Sequence, residues 1–223
     1  MSSRQFKDSV YDQFARIGKA VASSRRLELL DLLGQGPRTV EELARQASQS
    51  VPNTSRHLQV LRAARLVEGE REGLFVTYRL ANEEVRNFIA TMRELAESRL
   101  AEVKQVRREY LDSRGAMEPI DREELLERAS RGEVTVLDVR PREEYDAGHL
   151  PGAMSVPLVE LAGYLDQLPR DRQVVAYCRG PYCVLALDAV DLLSAHGFTA
   201  TRLEDGVGEW RGAGLEVVTG AGR

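Results

Sequence analysis

The sequence predicts two domains of different class. The first is mainly α-helical and closed by a β-hairpin; the second is α/β, a parallel sheet with helices on both faces. Three observations predict this. Up to Asp112 the apolar residues recur at helical spacing, interrupted by one pair of β-type runs around Gly73. From Val134 onward short apolar runs alternate with helical stretches, the pattern of a parallel sheet. The two halves also differ in charge: residues 1–112 carry 19 Lys+Arg against 16 Asp+Glu (+3), and residues 113–223 carry 12 against 19 (−7). The expected partition is 1–112, a breaker-rich linker at 113–119 and 120–223.

Composition narrows the function classes. The 223 residues are 43% hydrophobic and 30% charged, with two cysteines. No run approaches the ~18 apolar residues of a membrane span, and the first residues lack the apolar core of a signal peptide. Two cysteines do not make a secreted disulfide framework, so the cytoplasm is the expected compartment and no membrane partner is expected. The mildly basic first half suits nucleic acid, whereas the acidic second half disfavours it.

In chain order, Phe6, Val10, Phe14, Ile17 and Val21 line one helical face. Ser24 is the expected N-cap of a second helix rich in leucine, which Gly34-Gln35-Gly36-Pro37 ends. Thr39 and Glu42 have capping-box spacing and open a short helix with Val40, Leu43, Ala44 and Ala47. A further helix runs through Val51–Ala64, with Val51, Leu58 and Leu61 expected to face a core. Asn53, Thr54, Ser55, Arg56, His57 and Gln59 make its polar side. These hydrogen-bonding and cationic side chains are of the types that reach base edges and phosphates. Leu66–Leu80, turning at Gly73, then gives a hairpin with Arg71 near its tip.

Ser55-Arg56-His57-Leu58, Leu61, Leu66-Val67, Gly73 and Tyr78-Arg79-Leu80 resemble the ArsR-type winged helix-turn-helix repressors over roughly residues 5–112. The resemblance implies a homodimer that binds a double-stranded DNA operator. The Val51–Ala64 helix would lie in the major groove and the Arg71–Gly73 tip near the minor groove or backbone. The alternative is a helical protein–protein module with a solvated polar face. From Asn82 to Asp112 there is no Gly or Pro, and about 31 helical residues span on the order of 46 Å. One small domain cannot cover that length, so part of its apolar stripe is expected to pack on a partner subunit. Glu41–Gln49 holds no cysteine, and Asn82–Asp112 neither cysteine nor histidine. The metal-ligand clusters and paired sulfide-sensing cysteines of that family are therefore absent, and no metal or cofactor is expected.

The second half centres on Val174–Tyr177, a β-type run that stops at Cys178-Arg179-Gly180-Pro181-Tyr182-Cys183, followed by a helical pattern through 183–196. Strand, tight loop and helix start converge backbone N–H groups on an anion, so the Cys178 thiolate is expected to be stabilised and its pKa lowered. Leu137-Asp138-Val139-Arg140, Glu143-Glu144-Tyr145, Gly148-His149-Leu150 and Val156-Pro157 resemble the first rhodanese signature; Leu203, Asp205-Gly206 and Glu209-Trp210 resemble the closing one. The likeness covers residues 117–219. It implies a rhodanese-like domain with Cys178 as the sulfur-accepting nucleophile, Asp138 and Arg140 as loop-positioning residues, and His149 as a packed residue.

On this reading Cys178 takes sulfane sulfur from thiosulfate or a polysulfide. The N–H groups of Arg179 to Cys183 cradle the persulfide, Pro181 contributing none, and the Arg179 charge recruits an anionic donor. Val184 stands at the sixth position after Cys178, where related phosphatase and arsenate-reductase loops carry arginine, which disfavours phosphate and arsenate chemistry. Cys183 has three readings: a buried small hydrophobe, a resolving thiol, or a group that tunes the nucleophile. Three functions follow. One is a regulator that senses sulfur or redox state through Cys178. The second is a sulfurtransferase whose winged-helix half serves dimerisation or autoregulation. The third is a repressor that uses the second domain only for interaction.

Overall fold

The computed structural model describes residues 1–115 and 118–220. The chain divides into two compact units, Met1–Leu100 and Ala101–Arg223. Ala116 and Met117, within the expected linker, lie outside the described residues. Among the described residues no helix is long and apolar enough to cross a membrane.

The first unit runs α1 (Ser3–Val21), α2 (Ser24–Gly34), β1 (Arg38–Thr39), α3 (Val40–Gln46), α4 (Val51–Ala63), β2 (Val67–Glu72), β3 (Phe75–Leu80) and α5 (Glu83–Arg99). Ser23, not Ser24, is the N-cap of α2: its extended backbone turns the chain before the helix begins. The expected capping box forms at α3, where Glu42 Oε2 accepts from the Thr39 N–H at 2.8 Å and Thr39 Oγ1 accepts from the Glu42 N–H at 3.3 Å. β2 and β3 form the hairpin, with Gly69 opposite Tyr78 and Gly73 at φ +63° in the turn. A Cβ on Gly69 would sit 2.9 Å from the Tyr78 ring, so only glycine fits beneath that tyrosine. β1 adds a third strand to β3, one too short to be read from sequence pattern.

The core of this unit is Leu29, Leu30, Leu33, Leu43, Leu58 and Leu61, joined by Val67, Tyr78 and Val85. Val51 is 41% exposed rather than buried, because the first turn of α4 extends past the core that Leu58 and Leu61 fill. Phe6 and Phe14, on the apolar face of α1, are 55% and 65% exposed.

The predicted 31-residue helix is broken. Leu100 adopts an extended backbone (φ −111°, ψ 100°) between α5 and α6 (Ala101–Ser113), and α6 groups with the second unit. No Gly or Pro stands at the break, and α6 is tied to its own unit by long-range ion pairs. Arg107 pairs with Glu204, and Arg114 pairs with Asp188 (2.7 Å) and Asp191.

After α6 the second unit runs α7 (Arg122–Ser130), β4 (Val134–Asp138), α8 (Arg142–Ala147), β5 (Met154–Ser155), α9 (Leu158–Tyr164), β6 (Gln173–Tyr177), α10 (Leu185–Ala195), β7 (Ala200–Arg202) and α11 (Val207–Gly212). The four strands pair in parallel in the order β5-β4-β6-β7. Alternation along β6 divides the core: Val174, Ala176 and then Cys178 pack with Leu161, Ala189 and Leu193, whereas Val175 and Tyr177 pack with Leu125, Tyr145 and Trp210. β5, with two residues, and α8, with six, are too short to carry a periodic pattern.

Leu58 is fully buried at the centre of the first core. Leu58→Ala is expected to lower the stability of this unit by about 2–5 kcal/mol and Thr39→Ala by about 1 kcal/mol, both measured by urea unfolding.

Candidate nucleic-acid interface and sulfur site

On α4, Asn53, Arg56 and Gln59 are exposed and Ser55 and His57 half-buried, so five of the six expected contact residues reach solvent. Thr54 does not. It is fully buried, and its hydroxyl donates to the Ser50 carbonyl at 3.1 Å. The spacing shows why, because Thr54, Leu58 and Leu61 fall at i, i+4 and i+7 on the core face. Gln59 Nε2 donates to Tyr78 Oη at 3.1 Å, which ties α4 to the hairpin. Arg71 is exposed near the hairpin tip, where its Nε donates to the Gly73 carbonyl at 3.1 Å.

In the second unit the loop after β6 holds both cysteines, free of a disulfide. Cys178 is 3% exposed, and its Sγ donates to the Cys183 carbonyl at 3.5 Å. Gly180 has φ +127°, and a Cβ there would lie 2.7 Å from Glu209 Oε2. A Cβ on Gly206 would lie 2.3 Å from the Arg179 carbonyl carbon, so the closing segment presses directly on the loop backbone. Glu209 Oε2 in turn accepts from the Gly206 N–H at 3.0 Å. Tyr182 is exposed and Pro181 half-buried at the outer side of the loop.

A buried polar brace lies beneath. Asp138, at the end of β4, accepts from Arg140 Nε at 2.9 Å and from Arg140 Nη2 at 2.5 Å. It also accepts from Tyr177 Oη at 2.6 Å, and Tyr177 Oη accepts from the Leu150 N–H at 3.1 Å. Burial, reinforced by the Asp138 charge, pushes the Tyr177 hydroxyl well up, so it remains a donor. Arg140 Nη2 further donates to the Gly148 carbonyl at 2.7 Å. His149 is packed, stacked on the Tyr145 ring at 3.5 Å with Nδ1 2.8 Å from the Tyr145 carbonyl.

Two expectations about the loop change. Arg179 does not offer a free charge: Glu144, fully buried, accepts from its Nε at 2.9 Å and from its Nη2 at 2.6 Å. Glu144 was present in the quoted motif, but nothing in its local pattern distinguishes a buried carboxylate from an exposed helical one. The lowered thiol pKa falls on Cys183, not on Cys178. The Cys178 S–H donates toward Cys183, the backbone N–H groups of Arg179 and Leu185 favour the anion, and the Arg179 charge adds to them. Together these bring Cys183 to about 6. The same hydrogen bond, together with burial, pushes Cys178 well up, although the N–H groups of Gly180 and Ala186 favour its anion.

Cys183 is mainly thiolate above pH 6 and mainly thiol below it. Iodoacetamide alkylation of Cys183, followed by mass spectrometry, is expected to rise through a midpoint near pH 6. Cys178→Ala removes the donor, and the midpoint should move up toward that of an ordinary thiol, about 8.5.

Comparison with known proteins adds two family matches: residues 23–69 match the bacterial regulatory protein arsR family, and residues 121–213 match the rhodanese-like domain. The chain is 47% identical to the HTH-type transcriptional regulator Rv0324 of Mycobacterium tuberculosis, over 96% of this chain and 94% of that protein. It is 30% identical to a sulfurtransferase of Allochromatium vinosum, over 46% of this chain and 96% of that protein. The homodimeric winged helix-turn-helix DNA-binding domain (fragment 1–100) of Mb0332 from Mycobacterium bovis, solved by NMR, is 42% identical. It covers 45% of this chain and 91% of that chain with a TM-score of 0.42. By its arsR match and its near full-length likeness to a regulator of that kind, the chain belongs to the arsR family of bacterial regulatory proteins, with a rhodanese-like domain as its C-terminal part.

Proposed function

We propose that the protein is a homodimeric DNA-binding transcriptional repressor whose rhodanese-like domain accepts sulfane sulfur on Cys178 and so reports sulfur or redox state. The observation that carries this reading is the pair of free thiols at the carboxyl end of β6, where the buried Cys178 sulfur lies 3.5 Å from the Cys183 carbonyl oxygen in one strand-to-helix loop. As Cys178 attacks a sulfane donor, Cys183 takes its proton, and the transferred sulfur remains as a Cys178 persulfide. Cys183 then acts as a resolving thiol: it passes its proton to the terminal sulfur as its own sulfur attacks the Cys178 sulfur, a Cys178–Cys183 disulfide forms, and the terminal sulfur leaves as hydrosulfide. No metal is needed for either step.

Two features of the first unit support the DNA and dimer parts of the reading. Asn53, Arg56 and Gln59 project from α4, and Arg71 from the hairpin, where a duplex would meet them. Phe6 and Phe14 leave an apolar stripe on α1 suited to a second copy, and the Mycobacterium bovis fragment is described as homodimeric.

The test uses a duplex selected by the wild-type protein from a random pool. Its affinity is measured before and after polysulfide treatment, in wild type and Cys178→Ser. A change of about tenfold or more is expected in wild type only; four identical affinities overturn the reading.

A second reading, a sulfurtransferase with the winged-helix half serving dimerisation or autoregulation, is favoured by the rhodanese-like match over residues 121–213. Multiple turnovers of thiosulfate and cyanide to thiocyanate, abolished by Cys178→Ser, distinguish it from a sensor that reacts once.

A further inference from the structure

Arg202 has no role in the chemistry above, yet it is the most unusual cation in the second unit. It ends β7 and is only 6% exposed. Its Nε has no hydrogen-bond partner, and no ion pair engages it among the described residues. An arginine cannot shed its proton, so a buried guanidinium N–H with no acceptor is unfavourable unless an acceptor joins it.

Its neighbours sharpen the point. Arg202 is in register with Ala176 on β6, which places it on the sheet face shared by Ala176 and Cys178. Arg107 of α6 approaches it; Arg107 Nη2 is held by Glu204, but its buried Nε also lacks a partner. Burial and the Arg107 charge lower the pKa of Arg202, while Glu204, the Cys178 sulfur and Glu118 act in the opposite direction. Two guanidinium groups of the same unit thus each leave a buried N–H unsatisfied, that of Arg202 on the sheet face of Cys178. Planar N–H forks of this kind match oxyanions. Arg179, the cation in the cysteine loop itself, is already taken by Glu144.

We propose that Arg202 and Arg107 form the oxyanion subsite of the sulfur site, holding the sulfonate end of thiosulfate while its outer sulfur meets Cys178. This rests on the sulfur-accepting reading of Cys178. The Cys178 sulfur bonds to the outer sulfur and its proton passes to the Cys183 thiolate. The bond between the outer and central sulfurs breaks, and its electron pair leaves with sulfite. Thiosulfate enters with two negative charges and sulfite leaves with two, while the single charge of the thiol pair passes to the persulfide. Arg202 is a specificity residue here: it distinguishes anionic sulfur donors from neutral ones.

Direct binding separates this subsite from the chemistry. Thiosulfate is titrated calorimetrically into the full chain carrying Cys178→Ser, which cannot accept sulfur. Arg202→Gln in that background is expected to weaken binding tenfold or more, with Arg202→Lys in between. Unchanged affinity in Arg202→Gln overturns the proposal. Should Arg202→Gln fail to fold, Arg107→Gln decides on the same criterion. With both cysteines present, Arg202→Gln is expected to raise KM for thiosulfate about tenfold and leave persulfide formation from a neutral organic trisulfide unchanged. An equal loss with both donors also overturns the proposal. A wild-type protein that binds thiosulfate through Arg202 but forms no persulfide with either donor supports the subsite and refutes the sulfur-accepting reading.

Discussion

The cysteine loop depends on one buried carboxylate. Asp138 ends β4, and its side chain accepts from Arg140 and from Tyr177, the last residue of β6. Two neighbouring strand ends are thereby locked together just before Cys178. Both the Asp138 and Arg140 side chains are essentially without solvent contact. Breaking such a pair from one side typically costs about 3–5 kcal/mol, because the remaining charge is stranded in the interior. The brace also reaches Gly148 and Leu150, so the loop after α8 is held by the same group. The pleat of β6 separates the two tasks: Tyr177 points to the brace and Cys178 to the opposite face.

Charge above the brace is distributed sparingly. The one cation in the cysteine loop is neutralised by Glu144, so what favours a sulfur anion there is backbone N–H groups and the thiol partner. That arrangement suits a soft, singly charged sulfur better than a doubly charged phosphate, in keeping with Val184 at the position where phosphate-handling loops need arginine. Guanidinium N–H groups without an acceptor lie instead on Arg202 and Arg107, on β7 and α6. The segment that brings Arg107 to this site is the one that departs from the expected continuous helix. The helix breaks at Leu100, and beyond it Arg107 of α6 and Arg114 just after it pair with Glu204, Asp188 and Asp191 of the α/β unit.

Much was legible from residue order alone because it follows from local chemistry. Helical periodicity predicts α2, α3 and α4; the Thr39–Glu42 spacing predicts the capping box; short apolar runs predict β4, β6 and β7. The class of the candidate site was equally legible, since both cysteines occupy one strand-to-helix loop and the flanking motifs carry a family resemblance. β1 and β5 were not, because two-residue strands are defined by the partner they pair with rather than by their own pattern.

The sequence by itself determined the two domain classes, the polar face of α4 and the position of the thiols, because periodicity, turn chemistry and spacing act over a few residues. Only the tertiary structure decided which side chains on those elements are available. Thr54 turned inward, Arg179 met Glu144 35 positions away, Cys183 rather than Cys178 received the charge, and Arg202 was buried beside Arg107 with an N–H unsatisfied. Burial and electrostatic pairing join residues remote in the chain, and no local pattern records them.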